Sequence, residues 1–370
     1  VDLQWNSVVP PAERYLKCNV RFVDPNACWA APVFLLRSPP PSGIRVMHRE
    51  GGAVFRVMTW NLENLFQPGA PSGPTTGAAY TAKIDGLAAM IRSQNPDALS
   101  VQELGDPAAL QDLLAAVGGS WHQRVSQHPD VRGIRVAWVS KSPIIASAEV
   151  LAFPAQLPSV TVDDIGNTSS TMGRGAVTIT VCGSDGTPIH LITTHLKSKL
   201  LTFPGGRFAP HDEDERARFG TYALGRRAAE AATLRCWTTA TLGSAPDARV
   251  IVTGDLNDTV QAATTQILLG PPGSEIGTGG FDRPDQGDQQ RLWNLAALMP
   301  AGRDYSRINQ GRRELIDHIL VSAPLVTPLD AIQIEAVTED PLPSITPDPN
   351  ERRNAPSSDH APVIATFDNL

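Results

Sequence analysis

Two short clusters carry most of the chemistry that this chain could perform. Val250-Ile251-Val252-Thr253-Gly254-Asp255-Leu256-Asn257-Asp258 and Ser357-Ser358-Asp359-His360-Ala361-Pro362-Val363 each join an apolar run to a tight polar group, as a sheet does when it presents reactive side chains at its edge. Asp255 and Asn257 lie two apart, so an extended backbone points both the same way. A carboxylate beside a neutral amide suits a site that holds a divalent cation or a phosphate oxygen without piling up negative charge. The alternative is a loop in which the two side chains satisfy their own backbone. Glu103 closes an otherwise apolar strand, where a carboxylate is costly unless it is solvated or bound. Magnesium takes oxygen ligands, often one or two carboxylates, and keeps several waters, so Glu103 fits a principal ligand, with a plain exposed strand end as the other reading. His195 and His360 sit at strand ends beside polar groups. Hydrolysis of a phosphodiester gathers charge on its non-bridging oxygens, which an imidazolium or a metal stabilises, while a neutral imidazole can take a proton from water. Asp317 interrupts a strongly apolar strand and is a candidate to orient a histidine. His318 alternates to the opposite face and reads as structural. Together these residues point to metal-dependent phosphoester hydrolysis.

The elements that must position them follow from periodicity. Val54–Trp60 reads as a buried strand and 80–93 as a helix with Ile84, Leu87, Ala88 and Ile91 on one face. Asn95-Pro96 stops that helix, and 97–103 is the next strand. A short helix is expected near 107–117, strands at 134–140, 143–151, 174–182 and 187–196, a long helix over 216–241, and strands at 249–253, 314–321, 330–337 and 361–367. Short strands, irregularly interspersed helices and hairpin-like connections predict an α/β fold of two packed mixed sheets flanked by helices rather than a parallel nucleotide-binding sheet. No internal repeat, G-x-G-x-x-G or Walker sequence occurs.

Composition permits this reading and excludes some others. The chain has 370 residues, 41% of them apolar, and a net charge of −7, which argues against coating nucleic acid through bulk charge. A catalyst needs only a local basic patch. Residues 1–53, punctuated by Pro10-Pro11, Pro39-Pro40-Pro41 and Gly51-Gly52, read as a loosely packed extension, and 54–370 as one catalytic domain. Cys18, Cys28, Cys182 and Cys236 are too few and scattered for a disulfide framework; Cys18 and Cys28 could pair across a short loop, but idle thiols are the better reading. No apolar run reaches the ~18 residues of a membrane span, so a soluble, cytoplasmic protein without stable membrane insertion is expected. A first residue of Val1 rather than Met leaves secretion open.

Trp60-Asn61-Leu62-Glu63-Asn64, Gln102-Glu103, Thr194-His195, Gly254-Asp255-Leu256-Asn257, Ile316-Asp317 and Ser358-Asp359-His360 occur in the order found in the endonuclease/exonuclease/phosphatase superfamily, and the chain resembles that deoxyribonuclease I-like family over roughly 54–368. The resemblance implies a four-layer sandwich and a divalent metal, Mg²⁺ with Mn²⁺ as a substitute. It implies that Asn61 and Glu103 organise the metal, Glu103 as the direct ligand, and that Asp359 supports metal or histidine placement. Asp255 and Asn257 match the pair that positions the attacking water and scissile phosphate, and His360 matches a histidine paired with an aspartate, here Asp317. The general base falls to Asp255 and His360 jointly. His195 resembles the second histidine of the deoxyribonuclease and sphingomyelinase branches, although no residue matches its orienting acid. Glu63 stands where one branch has an arginine and another a carboxylate, which raises a second or shifted metal position. Arg174 looks like the arginine that begins a strand near the substrate phosphate, and Lys197 and Lys199 would neutralise a phosphate if they turn inward. For both, exposed surface residues remain the alternative.

Arg303, Arg307, Arg312, Arg313 and Arg352-Arg353 gather beside the motifs and could track a polyanionic backbone, or form solvated ion pairs with Asp304, Glu314 and Glu351. No regular aromatic series for stacking bases is present. The expectation is a nuclease with little sequence preference for DNA or RNA. A phosphatase or phosphodiesterase for a phosphoinositide, a sphingomyelin-like lipid or another small phosphoester is the alternative. Leu200, Leu201, Phe203 and Phe208 could touch a bilayer, but the acidic run His211-Asp212-Glu213-Asp214-Glu215 would be repelled by anionic lipid. An inactive binding scaffold is a third reading; it calls for a lost metal or histidine position, and none is lost.

Overall fold

A computed structural model describes residues 54–281, 290–338, 342–346, 348, 351–368 and 370, all within one compact unit that spans Arg45–Leu370. The expected extension at 1–53, with Cys18 and Cys28, lies outside the described residues.

The chain alternates strands with helices whose ends are chemically marked. After β1 (Val54–Leu65), helix α1 (Gly77–Gln94) starts where the Thr76 side chain accepts from Ala79 N and stops at Asn95, which adopts a left-handed φ of 48°. Next come β2 (Ala98–Leu104), α2 (Pro107–Val117), β3 (His122–Val125), β4 (Arg135–Ser140) and β5 (Ala146–Ala152). Asp106 caps α2, and Pro107 occupies the first turn. A short β6/β7 ladder (Val160–Thr161, Thr168–Ser169) precedes β8 (Thr171–Cys182) and β9 (Pro188–His195). Helix α3 (Glu213–Ser244) is longer at both ends than its periodicity suggested; it starts early because Asp212 accepts from Glu215 N as a cap. The chain closes with β10 (Arg249–Asp255), α4 (Ala263–Leu269), β11 (Leu292–Asn294), β12 (Arg307–Asn309), β13 (Arg312–Glu314), β14 (Asp317–Ser322), α5 (Ala323–Val326), β15 (Ile332–Ala336), β16 (Ser344–Ile345) and β17 (Val363–Asp368). The strand expected to begin at 314 begins at Asp317, because Arg312–Glu314 turns back to pair with Arg307–Asn309.

Two mixed six-stranded sheets result, ordered β15-β17-β1-β2-β4-β3 and β11-β14-β10-β9-β8-β5. Phe55, Val57, Val136 and Trp138 of the first sheet meet Val177, Ile179, Leu191, Ile251 and Ile319 of the second in a shared core. Helices α1 and α2 cover the outer face of the first sheet through Leu87, Ile91, Leu110 and Leu113. On the second sheet, α3 and α4 do the same through Ala231, Leu234, Leu268 and Leu269. The order of layers is therefore helices, sheet, sheet, helices, as expected.

One row of side chains explains the location of the polar residues. Along each central strand the inward-facing positions begin apolar and end polar: Val57 then Thr59 and Asn61, Leu191 then Thr193 and His195, Ile251 then Thr253 and Asp255. Gln102 Nε2 bonds Thr59, Ser100 and Thr193 at 3.1–3.2 Å, and Thr253 Oγ1 bonds Ser100 Oγ at 2.9 Å, so a satisfied polar layer seals the apolar core from the cleft above it.

Candidate active site

The cleft forms where this polar row reaches the ends of both sheets. Register places His195 and Asp317 on either side of Asp255 in the second sheet, and Asn61 beside Gln102 in the first. Asn61 Nδ2 crosses between the sheets to Asp255 Oδ2 at 3.0 Å. Close packing of β9 on β10 requires Gly254, since a Cβ there would lie 2.0 Å from Thr194 O.

Several cleft residues depart from strand geometry. Glu63, Asn64, Glu103 and Asn257 have positive φ of 49–57°, and pairing slips between Asn61 and Leu65 and between Val101 and Leu104. The left-handed turn at Glu103 breaks the alternation that would send it to the helix side, and its carboxylate accepts Asn64 N at 2.9 Å at the cleft wall. Asn257 is turned likewise: its N–H donates to Asp255 Oδ1 at 2.8 Å and its Nδ2 to Leu196 O at 3.0 Å. Such strained conformations persist only where surrounding contacts hold them.

The two histidines are both buried, with opposite electrostatics. His360 Nδ1 bonds Asp317 Oδ2 at 2.7 Å. Burial pushes its imidazolium down, but the charges of Asp317, Asp359 and Asp255 outweigh that penalty and hold its pKa up at about 10. Burial, and then the Arg174, Arg132, His360 and Lys197 charges, push His195 well below the usual histidine range. His195 Nε2 lies 3.4 Å from Asp255 Oδ2, and its buried Nδ1 has no hydrogen-bond partner. That orphan nitrogen agrees with the missing orienting acid. Asp255 itself is raised to about 7 by burial and then by Asp317, partly offset by His360. Asp255, Asp317 and His360 bring ligand atoms within 4.8 Å of one another, and the positive charge in that group is supplied by His360.

The cleft, of about 300 Å³, is lined by Asn61, Glu103, Arg174, His195, Asp255, Asn257, Asp359 and His360; Asp317 lies beneath, fully buried. Arg174 is 7% exposed, donates to Asp130 Oδ2 at 3.1 Å, and reaches the His195 and Leu196 carbonyls at 3.3 Å. Lys197 is not brought to this wall. Its Nζ is turned back onto the Ser198 and Leu200 carbonyls at 3.0 Å, and Ser198 and Lys199 face the cleft instead. Of the arginines flagged by the sequence, Arg307 and Arg352 reach the cleft, whereas Arg313 lies 4.5 Å over the Tyr305 ring and Arg303 approaches Glu335 at 3.8 Å. Glu63 does not stand open for a second cation: Arg352 grips both its oxygens at 2.8 and 3.0 Å, and the buried Lys83 Nζ lies 4.0 Å away. His318 points to the other face, as expected, and bonds Asn294 and Asp258 O.

The sequence of the Endonuclease/Exonuclease/phosphatase family matches residues 58–360, a span that contains every one of these cleft residues. The chain belongs to the endonuclease/exonuclease/phosphatase family. Its chemistry is therefore that of a phosphoric-ester hydrolase. No curated protein sequence matches the chain. Among solved structures, a beta toxin from Staphylococcus aureus superposes with a TM-score of 0.52 at 18% identity, covering 84% of this chain and 99% of that one. A sphingomyelinase C from Streptomyces griseocarneus gives 0.51 at 19%, covering 85% and 100%. The human Nocturnin catalytic domain with bound sulfate gives 0.50 at 18%, covering 85% and 94%. These likenesses show the shared four-layer fold.

Within the family fold, α3 supplies two site residues that motif reading passed over. Buried Arg227 donates to Asp258 Oδ2 at 3.0 Å and to Lys197 O at 2.9 Å. Buried Glu230 accepts from Gly173 N at 2.9 Å and Lys197 N at 2.7 Å. Together they tie the loops after His195 and Asn257 and the start of the Arg174 strand to one rigid helix. A signal existed: Phe219, Ala223, Arg227, Glu230 and Leu234 lie on one helical stripe, so the two charges interrupt a buried face.

Proposed function

We propose that this chain is a divalent-metal-dependent phosphodiesterase that cuts nucleic acid strands with little sequence preference. The observation that carries the reading is the pair of buried histidines pushed in opposite directions beside Asp255, in a cleft whose lining includes Arg132 and Arg307 as well as Arg174, Lys199 and Arg352, which pair with Asp130, Asp258 and Glu63. A diester within a polyanion needs both a proton acceptor for water and fixed cations for its charged oxygens.

The donors fit a hard cation. Glu103 and Asp359 offer carboxylate oxygens, Asn61 offers an amide oxygen that also accepts Glu63 N at 2.9 Å, and beside them Asn64 Oδ1 is buried without a hydrogen-bond partner. We assign Glu103 as the principal ligand, with Asn61 and Asp359 in support, and Mg²⁺ or Mn²⁺ as the ion. When bound, such an ion withdraws charge from a phosphoryl oxygen and eases deprotonation of water. Asp255, poised near 7 and held by Asn61 and the Asn257 N–H, takes the proton of the attacking water. That assignment separates the joint base of the sequence reading, because His360 already carries its proton and serves as a cation for a non-bridging oxygen. Asp317 holds that imidazolium in place. Neutral His195 and charged Arg174 complete the phosphate cradle.

One part of the apolar loop is withdrawn from any bilayer: Phe203 is buried against Phe219 with ring centroids 5.1 Å apart, whereas Leu200 and Phe208 are exposed. No helix among the described residues is long and apolar enough to cross a membrane.

The test is conversion of supercoiled plasmid to nicked or linear forms in Mg²⁺, beside EDTA and His360→Ala controls. Cutting that disappears in both controls supports the reading. An intact plasmid, with release of product from a small phosphoester by the same sample, would shift it to a small-molecule phosphodiesterase.

A further inference from the structure

A second, smaller cavity of about 120 Å³ opens beside the cleft and shares Glu63, Asn64, Arg132 and Arg352 with it; Ser72, Phe208 and Arg353 complete its wall. Phe208 is 47% exposed, unlike Phe203 five residues earlier. The loop that presents it is pinned rather than loose. Phe203 N bonds Arg207 O at 2.9 Å, and Arg207 Nη2 bonds Glu215 Oε1 at 2.7 Å, which anchors the loop to the first turn of α3. An exposed ring is thus held on a fixed frame against a group of arginines.

The charge of this cavity selects among ligands. Its one carboxylate, Glu63, is gripped by Arg352 and faced by Lys83, so it has little negative field to offer. Arg353 spends its Nε on Gly73 O and an Nη on Ala70 O. Arg132 is different: its side chain is 41% exposed, and its carboxylate neighbour Asp130, 3.8 Å away, is already bonded by Arg174 at 3.1 Å. A partly exposed guanidinium that lines one cavity with an exposed aromatic ring suits a planar ring together with a phosphate. It disfavours the quaternary ammonium of a choline headgroup, which three arginines would repel.

We infer that the Phe208–Arg132 cavity is a subsite for the nucleotide that flanks the scissile phosphate, with Phe208 stacking its base and Arg132 meeting the adjoining phosphate. This inference rests on the nucleic-acid reading of the cleft and goes beyond it in naming how the strand is held. One ring and one cation grip any base, so the subsite confers affinity for a strand without sequence choice.

Steady-state kinetics of the full chain, Phe208→Ala, Phe208→Trp and Arg132→Ala separate the cases. The substrates are a single-stranded oligonucleotide, bis(p-nitrophenyl) phosphate and vesicles of phosphatidylcholine with sphingomyelin. Phe208→Ala is expected to raise KM for the oligonucleotide about five-fold or more, with kcat nearly constant, so that its preference for oligonucleotide over the small diester falls by the same factor. Phe208→Trp restores that preference, and Arg132→Ala lowers it in a manner that weakens as salt rises. Equal losses on oligonucleotide and small diester in Phe208→Ala, or no loss on the oligonucleotide in that variant, overturn the subsite while leaving the nuclease standing. A wild-type chain that hydrolyses the small diester but not the oligonucleotide overturns the nuclease reading and the subsite with it. Turnover of sphingomyelin vesicles that drops in Phe208→Ala assigns the ring to a lipid surface instead.

Discussion

His360 and His195 are the same residue type, both buried at one end of the cleft, yet they differ by a full charge. Burial disfavours the imidazolium in each. The neighbours decide the outcome: Asp317, Asp359 and Asp255 surround His360, whereas Arg174, Arg132, the charge of His360 itself and then Lys197 act on His195. Asp255 lies between the two, and its raised pKa reflects that position. The contrast teaches that chemistry here is assigned by which carboxylates and guanidiniums the fold brings near each ring, and by little in the rings themselves.

The strongest way to break the comparison is to remove one member. His360→Ala is expected to lower kcat for a phosphodiester by about a hundred-fold or more, since it deletes a fixed cation at the developing charge, whereas His195→Ala retains His360's cation and costs less. Single-turnover rates of the two variants check the order; equal losses would show that their charge states do not differentiate them. Asp255→Asn should abolish turnover comparably while raising Tm at pH 8. The sign follows from its raised pKa: the fold favours the protonated carboxyl, so its stabilising share is present at low pH and is lost as pH rises through about 7. Thermal melts of the two proteins at pH 5 and pH 8 measure this, with the gap widest at pH 8.

A smaller and more specific effect is a displaced pH profile. Activity should fall as pH drops through about 7, where Asp255 takes up its proton, and again as pH rises through about 10, where His360 loses its own. Asp317→Asn removes the charge that most supports the imidazolium and moves the alkaline limb toward neutral by at least one unit. Glu230→Ala frees the Lys197 and Gly173 amides and should lower kcat roughly ten-fold with KM less affected, as expected of a positioning residue near the reacting groups. Smallest is Lys197→Met, whose ammonium faces carbonyls rather than the cleft; less than two-fold in KM is expected, against several-fold for Lys199→Met.

The residues that the cleft brings together are largely legible in the sequence. Asn61, Glu103, His195, Asp255, Asn257, Asp317, Asp359 and His360 stand at strand ends in motifs whose residue types match phosphoester chemistry, and the alternation of β1, β9 and β10 points their polar ends to one side. Lys197 was not legible in that way, because its direction depends on a loop held by Glu230 rather than on strand alternation. The grip of Arg352 on Glu63 joins residues 289 positions apart, which no local pattern reveals. Short elements such as β3, α4 and β11 went unseen because they are too brief for a hydrophobic period to develop, and they form by pairing and packing on neighbours already in place.

The sequence by itself determined the layered α/β architecture and the candidate groups of the cleft, because both are written in local period and in residue type. Only the tertiary structure decided which histidine is charged, which lysine meets the cleft, and that α3 clamps two of its loops. Those properties depend on distances between residues far apart in the chain, and electrostatic energy is set by distance and burial rather than by order along the sequence.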